Sequence, residues 1–199
     1  MYTIEIYEDK SNIHGNGIFS EEFIPKGFII FYLSSNENYI SKNEAQSFSA
    51  EKRDQLSKYG VEDEAGNWTM SDGDANHSCD ANVLSLFIDG IYCDIAVKDI
   101  QAGDEIALDY GLLYSSFSWS MECKCHSHIC RKIVGSGLSV DPKTQMLWQS
   151  RISDAVSRIH YVKQNLFSVQ EEIARALTLT LKSKINANVF PYIKFSLIS

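Results

Sequence analysis

Three cysteines crowd into "CKCHSHIC" (123–130), and a fourth follows an amide and an imidazole in "NHSC" (76–79). Thiolates are soft ligands, and a structural zinc takes four of them, or a mixture of cysteine and histidine, in a tetrahedron. Cys123, Cys125 and Cys130 supply three ligands from one short loop. The fourth must come from elsewhere, and His126, His128 and Cys79 are the candidates. Cys93, inside an apolar run, reads instead as a small buried residue. The cysteine count of five is odd, and the N-terminus "MYTIEIYEDK" has neither the basic start nor the apolar run of a secretory signal. Both observations favour a metal site over disulfides. If Cys79 is the fourth ligand, the metal ties the 123–130 loop onto "NHSC" and builds one wall of a pocket. Metal binding is then coupled to forming the site.

The elements that must position these groups read as short strands. "HGNGIF" (14–19) is a glycine-rich turn entering an apolar strand, and "IPKG" (24–27) and "IQAG" (100–103) are tight turns before "FIIFYL" and "DEIALDY". Residues 2–8 alternate, with Ile4 and Ile6 on one face, and predict an edge strand. Residues 41–58 form a polar, partly helical insertion, and 61–74 a loop around the strand "NWTM". "FIDGIYCDIAV" (87–97) predicts a hairpin turning at Asp89-Gly90. Past residue 140, Trp148, Ile152, Val156, Ile159, Val162 and Leu166 recur at helical spacing. A capping box of Ser168 and Glu171 opens a second helix through Val169, Ile173, Leu177 and Leu181.

Bulk properties set the class. With 199 residues, 44% of them apolar and 22% charged, the chain is expected to be one soluble domain, or one domain with an appendage. No apolar run approaches the roughly 18 residues of a membrane helix, so an intracellular protein is expected. The net charge of −8 is uneven. Residues 1–140 hold 22 acidic and 10 basic side chains, a balance of −12, and 141–199 hold 4 and 8, a balance of +4. The first part repels a phosphate backbone and attracts a cationic partner, so no direct nucleic-acid binding is expected.

In order, "HGNGIF", "NHSCDAN", "AGDEIALDYG" and "CKCHSHIC" resemble the SET-domain protein lysine methyltransferases with their cysteine-rich post-SET segment. The resemblance covers roughly residues 3–135 and is loosest over 36–70. It implies a mainly β (α+β) fold, the SET-domain β-clip of small sheets with a pseudo-knot in which the "NHS" and "DY" segments cross. That domain would occupy 1–113, with the insertion at about 36–60. A post-SET zinc segment would span 114–138 and a C-terminal helical extension 139–199. The implied methyl donor is S-adenosylmethionine, bound on one face. The target lysine of a histone or other basic protein would enter a narrow channel from the other.

Residue by residue, the resemblance makes His14, Gly15, Asn16, Gly17 and Ile18 cofactor-binding, the 15–17 backbone lying along the methionine part. Asn76 and His77 would hydrogen-bond the cofactor, His77 largely through backbone atoms near the adenine. Tyr110 matches the active-site tyrosine and also touches the cofactor. Cys79, Cys123, Cys125 and Cys130 match the four ligands of a structural Zn2+. Two departures stand out. Asp74-Ala75 precedes "NHS" where relatives often carry an Arg-Phe pair, so packing under the cofactor loop is lost unless Trp68 fills the space. Leu108, two before Tyr110, replaces a common Phe or Tyr and leaves room for more than one methyl group unless Tyr92 intrudes. The C-terminal helices are candidates to close the peptide groove or to join two copies as a homodimer. No membrane partner is expected.

Overall fold

The computed structural model describes residues 2–33, 39–63, 65–71, 75–88, 91–113, 115–136 and 140–165. Its strands and helices, in chain order, are β1 (Ile6–Lys10), β2 (Asn16–Ser20), β3 (Ile29–Tyr32), β4 (Tyr39–Ile40), α1 (Lys42–Ser47), α2 (Ala50–Tyr59), β5 (Gly60–Glu62) and β6 (Trp68–Met70). There follow β7 (Asn76–His77), β8 (Val83–Ile88), β9 (Ile91–Ala96), β10 (Glu105–Leu108), β11 (Ser120–Glu122), β12 (Ile133–Gly135) and α3 (Pro142–Arg158). The main sheet runs β1-β2-β10-β8-β9-β3, with β7 added on β10. A three-stranded sheet, β4-β6-β5, and the β11-β12 hairpin complete a mainly β architecture with few helices, as expected.

The β8-β9 hairpin is buried on both faces, and its alternation divides the core in two. Leu84, Leu86, Cys93 and Ile95 face one cluster, which α3 covers with Trp148, Ile152 and Ala155 and the turn after it with Ile159. Val83, Tyr92 and Ala96 face the other, shared with Ile18, Ile24, Phe31, Ala75 and Ile106. Cys93 is fully buried, as its apolar surroundings predict. Tyr92 does not intrude on Tyr110. Its hydroxyl donates to Ser85 Oγ at 2.8 Å, and Ser85 donates to the Asp94 carboxylate at 2.6 Å, a buried chain across β8 and β9.

The insertion folds as its caps dictate. Ser41 and Ser49 accept hydrogen bonds from the backbone N–H of Glu44 and Lys52 at the starts of α1 and α2. Its small core holds Ala45, Leu56 and Trp68, and Trp68 stacks on Phe117 with ring centroids 5.4 Å apart. Trp68 therefore anchors the insertion and does not fill the space under the "NHS" loop.

Two predicted spans differ from the structure. The first strand begins at Ile6, not at residue 2. Tyr2 forms an isolated bridge to Phe31, and Thr3 donates to Ile30 O from its amide and to Ile29 O from its hydroxyl. The chain thus satisfies the edge of β3 before crossing to β2. At the other end, the helix predicted through Leu166 stops at Arg158, and a 3-10 turn (Ile159–Tyr161) leads to an extended Val162. The reason is the same open edge. Gln164 accepts from Ile29 N at 2.9 Å and donates to Gly27 O at 2.9 Å, and Asn165 donates to Thr3 O at 2.8 Å. Side-chain amides satisfying an edge strand outweigh one more helical turn. The apolar stripe of α3 is consumed in the protein's own core. Leu166, the predicted second helix and the Asp89-Gly90 turn lie outside the described residues. Among the described residues no helix is long and apolar enough to cross a membrane.

Candidate active site

Three stretches far apart in sequence meet beside β10. β7 pairs with it in parallel, Ala107 opposite Asn76 and Leu108 opposite His77, and β2 pairs with it antiparallel, Ile106 opposite Ile18. This pairing brings the "NHS" and "DY" segments side by side.

The glycine turn approaches this junction through its backbone. Gly15 has φ +54°, a left-handed conformation that suits glycine. A Cβ on Gly17 would run into the Glu105 carboxylate. Asn76 Nδ2 donates to His14 O (3.0 Å), Asn16 O (2.9 Å) and Glu105 Oε1 (2.9 Å). Ser11 Oγ donates to the same carboxylate at 2.7 Å. Glu105 is the hub of this arrangement and was not among the residues expected from sequence. Its only signal is its place at the head of "EIALDY". The Asn76 amide nitrogen is thus engaged by the scaffold, leaving its Oδ1 and backbone as its contribution to a ligand.

His77 is 2% exposed and its imidazole turns inward. The Tyr110 backbone N–H donates to Nδ1 at 3.1 Å, and Nε2 faces Cys79 Sγ at 3.4 Å. Nδ1 also lies 3.2 Å from the Leu108 carbonyl oxygen, so the ring is held between the Leu108–Tyr110 backbone and the thiol. Burial pushes the ring below its ordinary value, with Asp109 opposing that shift and Arg131 adding to it, so the ring is neutral at pH 7. The side chain ties the "DY" backbone to a thiol.

Tyr110 opens a 3-10 turn (Tyr110–Leu112), and its hydroxyl donates to Ala75 O at 2.7 Å, the residue before Asn76. Its ring meets Trp119 edge to face, centroids 6.5 Å apart. The buried Trp119 Nε1 has no hydrogen-bond partner. Ala75, 3% exposed, packs in the core with Ile18, Val83 and Ile106. Asp74 lies outside the described residues.

A cleft of about 420 Å³ opens here, lined by Ile13, His14, Asn76, His77, Tyr110, Met121, Glu122 and Lys124. That volume suits a small organic ligand. Four of the expected residues line it. Gly15, Asn16, Gly17 and Ile18 are not among its lining residues, and Ile18, 3% exposed, is turned into the core. Sequence reading missed Met121, Glu122 and Lys124, whose only signal is that they lead into and interleave the thiols.

The thiols converge. The Sγ atoms of Cys79, Cys123, Cys125 and Cys130 all lie within 4.8 Å of one another, and those of Cys79 and Cys123 are 3.7 Å apart. Zinc–sulfur bonds of ~2.3 Å in a tetrahedron put sulfurs roughly 3.8 Å apart, so the set fits the metal. His126 and His128 are not in the group. Cys79 Sγ also accepts from Arg131 N (3.3 Å) and Nε (3.4 Å). Burial pushes the Cys79 and Cys123 thiols up, whereas for Cys125 burial is outweighed by hydrogen bonding with Ser127, the Cys79 amide and Cys123, which brings it down to about 6.

Residues 15–111 match the family model described as SET domain. The chain carries a SET domain over these residues. Curated relatives carry the same theme. It is 27% identical over 127 residues to the histone-lysine N-methyltransferase set9 of Aspergillus terreus, covering 62% of this chain and 20% of that protein. It is 28% identical over 129 residues to histone-lysine N-methyltransferase set9 of Emericella nidulans, covering 63% and 20%. A much longer Plasmodium falciparum protein is 27% identical over 145 residues, 64% of this chain and 2% of that one. The chain thus spans one fifth or less of the relatives' length. The matched SET region holds the glycine turn, Asn76, His77 and Tyr110. Cys123, Cys125, Cys130 and α3 lie beyond it.

Proposed function

We propose that this SET-domain protein is a protein-lysine N-methyltransferase that takes its methyl group from S-adenosylmethionine and delivers it to a lysine of a histone or another basic protein. The single observation carrying this reading is the convergence of Tyr110, Asn76 and the segment that leads into the four-thiol cluster on one cleft. The set9 names of the fungal relatives support the histone class, and the −12 balance of residues 1–140 supports a lysine-rich partner. The boundaries that go with this reading are SET domain 1–113, zinc-binding segment 114–138 and C-terminal extension 139–199.

When bound, S-adenosylmethionine supplies an electrophilic methyl group on a cationic sulfur. The rest is positioning by the chain. The glycine-turn backbone, Asn76 Oδ1 and the β11 residues Met121 and Glu122 would hold the donor, and Lys124 would offer a cation for its carboxylate. Tyr110 donates its proton to Ala75 O, so its oxygen faces the amine as an acceptor and orients it. The amine must be neutral to react. Deprotonating a lysine of pKa ~10.4 at pH 7 costs about 4.6 kcal/mol in water, at ~1.36 kcal/mol per unit. Apolar surroundings beside the Tyr110 and Trp119 rings, which meet edge to face, would lower that cost by desolvating the ammonium. Cys79, Cys123, Cys125 and Cys130 would hold a zinc ion and so tie the β11 wall to the "NHS" loop. Leu108 brings no hydroxyl two residues before Tyr110 and the Tyr92 hydroxyl is bonded to Ser85, which supports transfer of more than one methyl group.

Incubating the full chain with methyl-labelled S-adenosylmethionine and mixed core histones tests the proposal. Label on histone lysines is expected. Calorimetric binding of the donor without any label would make the protein a SET-type binding scaffold and overturn the reading.

A further inference from the structure

Tyr110 is bracketed by two residues that a helix outside the family match holds in place. Before it, the Asp109 carboxylate is 1% exposed. It pairs with the Arg131 guanidinium and accepts from the Trp148 indole N–H at 2.8 Å and from the Gly111 amide at 3.0 Å. After it, Gly111 lies flat against the same indole. A Cβ there would come within 3.0 Å of Trp148 Cη2 and 2.6 Å of an Arg131 nitrogen. The guanidinium in turn sits 5.1 Å from the Trp148 ring centre. One side chain of α3 therefore touches the residue on each side of the tyrosine. One turn further on, Arg151 reaches Asp80 at 2.6 Å, the neighbour of Cys79. The helix is itself fixed by Ile152, Ala155 and Ile159, each at most 1% exposed.

We infer that α3 is a working part of the catalytic centre and that Trp148 is a positioning residue, setting the Tyr110 hydroxyl through Asp109 and Gly111. The inference rests on the methyl-transfer reading of the site. A buried carboxylate oxygen that loses its donor turns toward whatever partners remain. Here these are Arg131 and the Gly111 amide, both on one oxygen, so the 109–111 turn rotates with it. Alignment-limited chemistry responds steeply to such shifts, a misplacement of ~1 Å costing on the order of a hundredfold.

Trp148→Phe keeps a ring in the core and removes the indole N–H and the edge against Gly111. Its kcat should fall about tenfold or more while the KM for S-adenosylmethionine stays within about twofold. Ile152→Ala, on the same helix but only in the core, should lower Tm at least as much and leave kcat within about twofold. Asp109→Asn should give the Trp148→Phe signature, and combining the two should add nothing further. It also reads the same hydrogen bond should Trp148→Phe fail to fold. An unchanged kcat in Trp148→Phe, an equal kcat loss in Ile152→Ala, or additive effects in the double variant would overturn the inference. A wild-type protein that transfers nothing overturns the function instead. Hydrogen exchange of the Tyr110 and Gly111 amides then decides the inference. Trp148→Phe should speed them more than about tenfold relative to the β8 and β9 amides, and uniform acceleration would refute it.

Discussion

Tyr110→Phe is expected to reduce methyl transfer at least about a hundredfold while the protein stays folded and binds S-adenosylmethionine almost as well as before. The phenylalanine ring keeps the edge contact with Trp119 and the tilted packing on His77, whose centroid is 5.2 Å away. What disappears is one hydroxyl and its 2.7 Å bond to Ala75 O. In stability a single hydrogen bond contributes about 1 kcal/mol, so Tm should drop only by a few degrees. In rate the loss is larger, because removing one preorganised polar group from a reaction centre typically costs about 100- to 1000-fold. The split between rate and affinity is the informative part. Equal losses in both would mean that Tyr110 only shapes the cleft, and a wild-type rate would remove it from the chemistry.

Cys79→Ser is expected to lose zinc, donor binding and activity together. Metal analysis of the wild type should give about one zinc per chain, and of the variant well under half of that. A structural zinc on four thiolates binds with roughly 10–16 kcal/mol, far more than the surrounding contacts of one loop can replace. Cys79 is also the thiol that carries the connection. It accepts from Arg131, meets the His77 ring and lies next to Asp80, which Arg151 of α3 holds. Without the metal, the strand that brings Met121, Glu122 and Lys124 to the cleft loses its anchor, so donor affinity should weaken at least about tenfold. A strong chelator should reproduce the effect on the wild type. The β8-β9 core should survive both treatments, since Leu84, Leu86 and Ile95 pack independently of the thiols. Cys93→Ala, altering a thiol inside β9, should leave zinc content unchanged. Full zinc in Cys79→Ser would exclude Cys79 as a ligand.

The cluster shows what sequence can and cannot convey. C-x-C-x4-C announces three ligands because they are local, but the fourth is 44 residues from Cys123. Spacing leaves Cys79, His126 and His128 equivalent, and only the folded chain separates them. Short strands between glycine turns were legible for a similar reason, since alternation and turn chemistry are local signals. The ends of elements were not. The helix expected through Leu166 stops at Arg158 because Gln164 and Asn165 satisfy an edge strand and the N-terminal segment, a competition no periodicity encodes. Glu105 and Trp148 were missed on the same principle. Each looks like an ordinary strand or helix residue until its partners, 29 residues away for the Asn76 amide and 39 for the Asp109 carboxylate, are brought beside it.

Backbone hydrogen exchange of the wild-type protein, with and without saturating S-adenosylmethionine, probes the convergence of segments most directly. The donor should slow exchange at once in residues 13–17, 75–77, 110–112 and 121–124, leaving α1 and α2 unaffected. Protection confined to one of these segments, or found elsewhere, would contradict a shared donor cleft.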